Sequence, residues 1–358
     1  MSGGFLCYCD YFAMMQSQGS FKTFIPAFSA RLSIIISADL SIQDYCKRYL
    51  DHLLFHSQYY LTIYAHVLDK TKQYADKPAS QVSLVDFGAG NGLLGMFAKF
   101  CGFKKVFLCD VDADFIEAAQ VVAGTLNISI DGYTTGDIDK LQVVLKNETI
   151  DAMVGTDVVE HVYNLDDFFA GVKAMNNNMV TVFTTASNPD NFIKVRKLKK
   201  FQVKDEWVGG DPGDFALAGS QKHEAFLVMR EKIITSCFPE IPVAEIKKLA
   251  MLTRGLKQED ILHAVKSYLT TGLLPVIKTN STNTCHPITG SWTERILPID
   301  SYRKIYLKQF FALEVHNGFY NAYSGGKKKY LNFIMNFLVT LTGRIAAPFI
   351  TLIGFKLK

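Results

Sequence analysis

From residue 82 to residue 187, short apolar runs take turns with longer amphipathic stretches. VSLVDF (82–87), KVFLCD (105–110), GYTTGD (132–137), TIDAMVGTD (149–157) and MVTVFTT (179–185) read as strands. LLGMFAKFCG (93–102), ADFIEAAQVVAG (113–124) and LDDFFAGVKAM (165–175) read as helices, with Gly102 and Gly124 as stops. Apolar strands separated by helices of about ten residues predict βαβ units and a parallel sheet covered on both faces. Upstream, apolar residues recur with helical spacing at Tyr45, Tyr49, Leu50, Leu53, Leu54, Tyr60, Leu61, Tyr64 and Leu68. Ser41 with Asp44 reads as a capping box, and Pro78 closes the region.

After Asn188-Pro189 the strand rhythm stops. Residues 188–298 read as helices and loops, with amphipathic helices at 243–255 and 258–272. The sheet pattern resumes with a helix at 301–310, a strand at 311–320 and a last strand at 348–358. Between these lies the apolar tail 331–355, whose polar stripe is Asn332, Asn336 and Thr340. It is long enough to span a bilayer, but Gly343, Arg344 and Pro348 interrupt it. A helix followed by an antiparallel strand is the expectation; peripheral membrane contact, helped by Lys327, Lys328 and Lys329, is the alternative. The predicted organisation is a poorly defined segment at 1–40, a helical segment at 41–80, a core at 81–187, a helical insertion at 188–298 and a C-terminal helix with the last strands at 299–358.

Bulk numbers narrow this little. The 358 residues are 49% hydrophobic and carry a net charge of +4, from 38 basic and 34 acidic side chains. An excess that small predicts no nucleic-acid partner. The seven cysteines (7, 9, 46, 101, 109, 237 and 285) are odd in number and form no CxxC pair, which fits a reducing compartment and a cytoplasmic setting. No basic stretch precedes a long apolar core at the N-terminus, so no signal peptide is expected. Residues 1–40 show little periodicity and are expected to be poorly ordered, or an over-long start, since Met14 and Met15 offer later ones.

The chemistry begins at 86-DFGAGNG-92. A turn between a strand and a helix that must let backbone approach a ligand needs glycine. The dinucleotide fingerprint places its third glycine three residues after the second, where this chain has Leu93. Here the glycines fall at alternate positions, Gly88, Gly90 and Gly92, with Asp86 two residues before the first. Asp110 ends the second strand, twenty residues after Gly90, and a carboxylate there can accept two ribose hydroxyls.

Together these motifs resemble those of the class I S-adenosylmethionine (SAM) methyltransferases over about residues 80–187, and the stretch 156-TDVVEHV-162 is similar to the ubiquinone-biosynthesis-like branch. The resemblance implies an α/β, Rossmann-like class I methyltransferase sheet, mostly parallel with an antiparallel last strand. It implies SAM as cofactor, held by Asp86, Gly88, Gly90, Gly92, Asp110, Val111, Asp137, Ile138 and Asp157. It places 157–161 beside the methyl-transfer pocket, with His161 as candidate base and Glu160 beside it. The implied reaction is methyl transfer to a small-molecule or glycan-type acceptor, with oxygen expected because His161 supplies a base. A methyltransferase-like module that binds without catalysis and a nicotinamide oxidoreductase are the competing readings.

Other constellations are weaker. Asp157, Glu160, His161 and His223 would suit Mg or Mn, but the spacing departs from the metal-using pattern and no metal is expected. His52 and His56 stand one helical turn apart and read as a polar helix surface. The run 194-KVRKLKKFQVK-204 reads as a solvated helix face. The loop 284-TCHPITGSWTER-295 is expected either to be tied down by Trp292 or, with His223, His286 and Trp292, to cover the acceptor.

Overall fold

A computed structural model describes residues 19–210, 224–273, 281–323 and 326–357. The strands form where the apolar runs predicted them: β1 (Ser83–Phe87), β2 (Lys105–Asp110), β3 (Gly132–Thr135), β4 (Ala152–Thr156), β5 (Val180–Thr185), β6 (Phe311–Asn317) and β7 (Ile350–Lys356). They make one sheet in the order β3-β2-β1-β4-β5-β7-β6. β1 to β5 are parallel, and β7 enters antiparallel to both β5 and β6. This is the mostly parallel, Rossmann-like α/β sheet with an antiparallel last strand that the resemblance implied. The chain builds outward from β1 to β3, then crosses back to β4, so β1 and β4 flank the switch point where α/β folds bind ligands.

Thirteen helices occur among the described residues. α1 (Ile25–Leu32), α2 (Asp44–Phe55), α3 (Ser57–Ala75), α4 (Leu93–Phe100) and α5 (Ala113–Thr125) contribute to the core on one sheet face. The other face is covered by α6 (Ile138–Val144), α7 (Leu165–Met175) and α12 (Ile299–Lys308). The insertion carries α8 (Phe192–Trp207), α9 (Phe226–Cys237), α10 (Val243–Leu252) and α11 (Gln258–Thr271). The last three share a small core of their own around Ile234, Leu249, Ile261 and Val265. α13 (Lys327–Thr342) leads into β7.

Residues 19–40 correct the expectation of a poorly ordered segment. Phe21, Phe24, Phe28 and Leu32 are buried, and the three rings pack on Phe97, Phe100 and Phe103. Phe21, Phe24, Ile25, Phe28 and Leu32 do recur with helical spacing, but over one short helical stretch only, and the aromatic partners that bury them lie some seventy to eighty residues downstream. The capping box is also corrected: α2 begins after Gln43, and no side chain caps it. The predicted helix–strand order of the tail is observed, yet of α13 only Val339 is buried. No described helix is long and apolar enough to cross a membrane.

Candidate active site

At the end of β1 the chain turns through residues 88–92 into α4. The N–H groups of Gly88 and Ala89 both donate to Cys109 O, at 2.8 and 3.0 Å, and Gly92 N donates to Ala89 O at 2.8 Å. Gly88, Gly90 and Gly92 have φ of +69°, +51° and +77°. A Cβ on Gly88 would stand 2.3 Å from Val158 Cγ2, and one on Gly92 would stand 2.7 Å from Leu108 Cδ1. These two glycines therefore serve the protein's own packing. At Gly90 a Cβ would meet only the Tyr49 ring, at 3.1 Å.

Two carboxylates fix the turn. Asp110 Oδ2 accepts from Gly90 N at 2.9 Å and Oδ1 from Asp112 N at 3.0 Å. Asp86 Oδ2 accepts from Gly95 N at 2.9 Å, in the first turn of α4. Burial pushes Asp86 up to about 7, against the pull of the Gly95 N–H, and nearby Asp110 adds to the rise. Beside Asp110, Val111 is exposed. Gly136 N donates to Asp110 O at 2.8 Å, and Asp137 caps α6 by accepting from Lys140 N at 3.2 Å. Ile138, next in the chain, is buried.

Across the switch point, Asp157 follows β4 with φ of +52°, a conformation uncommon outside glycine. Its Oδ1 accepts from Ala186 N at 3.0 Å. The side chain meets solvent, yet protein walls it in. Burial lifts it to about 6, Glu294 adds to the rise, and the Ala186 N–H, His161 and Lys194 oppose it. Glu160 is 0% exposed. Its Oε1 accepts from Thr185 Oγ1 at 2.7 Å and Ala186 N at 3.2 Å, and Oε2 has no donor among the described residues. Burial, then Asp157 and Glu294, raise it well above the usual carboxylate range. The expectation of a catalytic Glu160 is therefore corrected: a sealed carboxyl reaches no acceptor, and this one pins the 185–186 turn.

His161 is half-buried, and its Nδ1 lies 2.7 Å from Trp292 O. A carbonyl only accepts, so Nδ1 carries the proton and Nε2 keeps the lone pair of the neutral ring. The partner lies 131 residues away, on the loop that closes the insertion.

That loop, α8 and the first helices also supply residues that the sequence reading did not assign to the site. Glu294, with φ of +47°, accepts from Ser187 Oγ at 3.1 Å and bears on Asp157. Lys194 of α8 faces Asp157 and Glu294. A wall of tyrosines comes from α2 and α3: Tyr49, Tyr59, Tyr60 and Tyr64, each raised by burial and further by the Asp157 charge. Tyr60 is pushed up to about 12 and shares a 2.9 Å hydrogen bond with His52 Nε2. The signal was the density of tyrosine at positions where leucine would serve a purely apolar face.

Other predicted residues are engaged elsewhere. Trp292 Nε1 donates to Tyr163 O at 3.0 Å, the two rings stack, and the Arg295 guanidinium sits 4.3 Å above the Trp292 ring. His286 Nδ1 accepts from Ile288 N and Thr289 N, both at 3.3 Å, within its own turn. His286 closes its own turn and Trp292 fastens the loop to Tyr163 of the core, reaching the site through its carbonyl. His223 lies outside the described residues. Among the described residues no group of three or more His, Cys, Asp or Glu is placed to hold a metal ion.

No protein-family model matches the chain, and no curated protein does. Solved structures do resemble it. A Listeria monocytogenes protein provisionally named an S-adenosylmethionine dependent methyltransferase is 11% identical over 81% of this chain and 100% of its own, with a TM-score of 0.38. TehB from Haemophilus influenzae is 20% identical over 37% of this chain and 44% of its own, with a TM-score of 0.29. An S-adenosylmethionine-dependent methyltransferase from Clostridium acetobutylicum is 16% identical over 41% and 53%, with a TM-score of 0.29. The chain spans less than two thirds of the length of the last two, and likeness this faint assigns neither cofactor nor acceptor.

Proposed function

We propose that the chain is a SAM-dependent methyltransferase that methylates an oxygen of a small-molecule or glycan-type acceptor. The observation that carries this reading is the charge of the cleft onto which the glycine turn opens. Asp86, Asp110, Asp157 and Glu294 gather there, and Lys194, which faces Asp157 and Glu294, offsets part of their charge but not all of it. SAM bears a sulfonium and an ammonium, and both suit that field. A dinucleotide would bring its pyrophosphate into the same carboxylates, where like charges repel.

The residues present fit the cofactor. Each Asp110 oxygen accepts one backbone N–H and keeps a further lone pair for a ribose hydroxyl. Exposed Val111 offers an apolar surface to the adenine face, and Asp137 stands at the end of the neighbouring strand for the purine edge. When bound, SAM supplies an already activated methyl group. The chain's own work is then to orient the acceptor, exclude water and remove a proton. The tyrosine wall and Asp157 line the space for the acceptor. His161 Nε2 takes the hydroxyl proton, its ring held by the Trp292 carbonyl.

Calorimetry with SAM, its demethylated product and NAD tests the reading. Binding of the first two without NAD is expected. Binding of NAD alone, or of none of the three, overturns it.

A further inference from the structure

α13 is built inside out. Its inward face is polar: Asn336 Oδ1 accepts from Tyr320 N at 2.6 Å, Asn336 Nδ2 donates back to Tyr320 O at 3.1 Å, and Asn332 Nδ2 donates to Asn321 O at 2.7 Å. Its outward face is apolar. Phe333, Ile334, Phe337 and Leu341 are 71%, 55%, 59% and 65% exposed, and Tyr330 and Leu331 continue the stripe. An amphipathic helix of a globular protein turns its apolar stripe to the core. Here that stripe faces out over about three helical turns, far beyond scattered single exposures.

The patch extends at both ends, and each end is cationic. At the start of α13, exposed Lys327, Lys328 and Lys329 stand beside a cleft of about 400 Å3. Exposed Phe55 and Tyr323 line that cleft together with Lys328. Beyond its other end, Arg344 Nε donates to Asp190 Oδ2 at 2.7 Å. Asp190 shares a surface depression with exposed Phe192, Arg196 and Lys199 at the start of α8.

We infer that this face docks on an anionic membrane surface, with the apolar stripe of α13 at the acyl boundary and the flanking lysines and arginines among the headgroups. At 16 residues the helix is too short to span, which leaves an interfacial position. A second copy of this chain is the poorer occupant. Antiparallel pairing of two α13 helices sets the lysine end against the Arg196 and Lys199 end, and parallel pairing sets lysines on lysines. Anionic headgroups satisfy both ends at once. This inference rests on the surface alone and is independent of the chemistry assigned to the cleft.

Flotation of the full chain with phosphatidylcholine vesicles, with or without phosphatidylserine at about 30 mol%, tests it. Binding to the anionic vesicles is expected, and weak binding to the neutral ones. Phe333→Ser with Phe337→Ser should abolish it without altering the melting temperature, since both side chains are exposed. Reversing Lys327, Lys328 and Lys329 to Glu should weaken anionic binding by at least about a hundredfold, at roughly fivefold per lysine removed. No binding to either vesicle overturns the inference, as does binding that both variants leave unchanged. A concentration-dependent dimer in sedimentation, lost in Phe333→Ser with Phe337→Ser and accompanied by no vesicle binding, assigns the face to a second copy instead.

Discussion

At the scale of single residues, the glycine turn separates what steric packing demands from what a ligand demands. Gly88→Ala meets two penalties, a left-handed φ and a Cβ 2.3 Å from Val158 Cγ2. A loss of about 2–4 kcal/mol is expected, read as a lower urea midpoint. Gly88→Ala with Val158→Ala should recover the steric part only, because the backbone cost stays. His161→Ala removes the ring that Trp292 O orients. It should lower kcat about 10²- to 10⁴-fold while SAM affinity in calorimetry stays within a few-fold; loss of SAM affinity instead would place His161 in the cofactor grip.

The two raised carboxyls give a pH dependence with a definite sign. Asp86 sits at about 7 and Asp157 at about 6, above their unfolded values, so folding favours their protonated forms. That stabilisation is complete below about pH 4 and is lost as pH climbs through about 6 to 7. Asp86→Asn keeps an oxygen for Gly95 N and cannot ionise. Without ligand, its melting temperature should gain on wild type as pH rises from about 5 to about 8. A cationic ligand prefers the ionised cleft, so SAM affinity should climb over the same window with release of protons. A flat affinity across it would contradict the proposed site.

At the scale of elements, the insertion hangs on one buried ion pair. Arg230, 0% exposed, donates through Nη2 to Glu206 Oε1 and through Nε to Ala250 O at 2.7 Å. Thr284 Oγ1 donates to Glu206 Oε2 at 2.7 Å, which ties α8, α9, α10 and the 284–295 loop to one carboxylate. Arg230→Met leaves that carboxylate buried with only half-buried Arg254 near it, and should cost about 3–5 kcal/mol in urea unfolding. Arg230→Met with Glu206→Leu should cost less, because no charge is left uncompensated. Neither residue advertised itself in the sequence, where Glu206 and Arg230 look like ordinary helix-surface charges. The strands were legible because parallel strands buried on both faces must be continuous apolar runs. The helices of the insertion were legible from their period, and their destination was not.

At the scale of the whole molecule, burial predicts a hierarchy of local stability. Amides of β1, β4 and β5, with β2 beside them, should exchange slowest, because residues from Ser83–Phe87, Ala152–Thr156 and Val180–Thr185 lie in the covered centre of the sheet. α13, with Val339 alone buried, should exchange fast in solution and slow on anionic vesicles. Fast exchange in the centre of the sheet would contradict the described core. By itself the sequence determined the alternation of strands and helices, the turn at Gly88–Gly92 and the carboxylates Asp86 and Asp110 beside it, since each follows from side-chain period, backbone freedom or adjacency along a few residues. Only the tertiary structure decided that four tyrosines from α2 and α3 come within reach of the Asp157 charge, that Glu294 joins the cleft, that Trp292 O sets the tautomer of His161, and that α13 turns its apolar face outward. Those placements depend on how distant segments pack, and packing is governed by the shape and burial available across the fold rather than by the local pattern of any one segment.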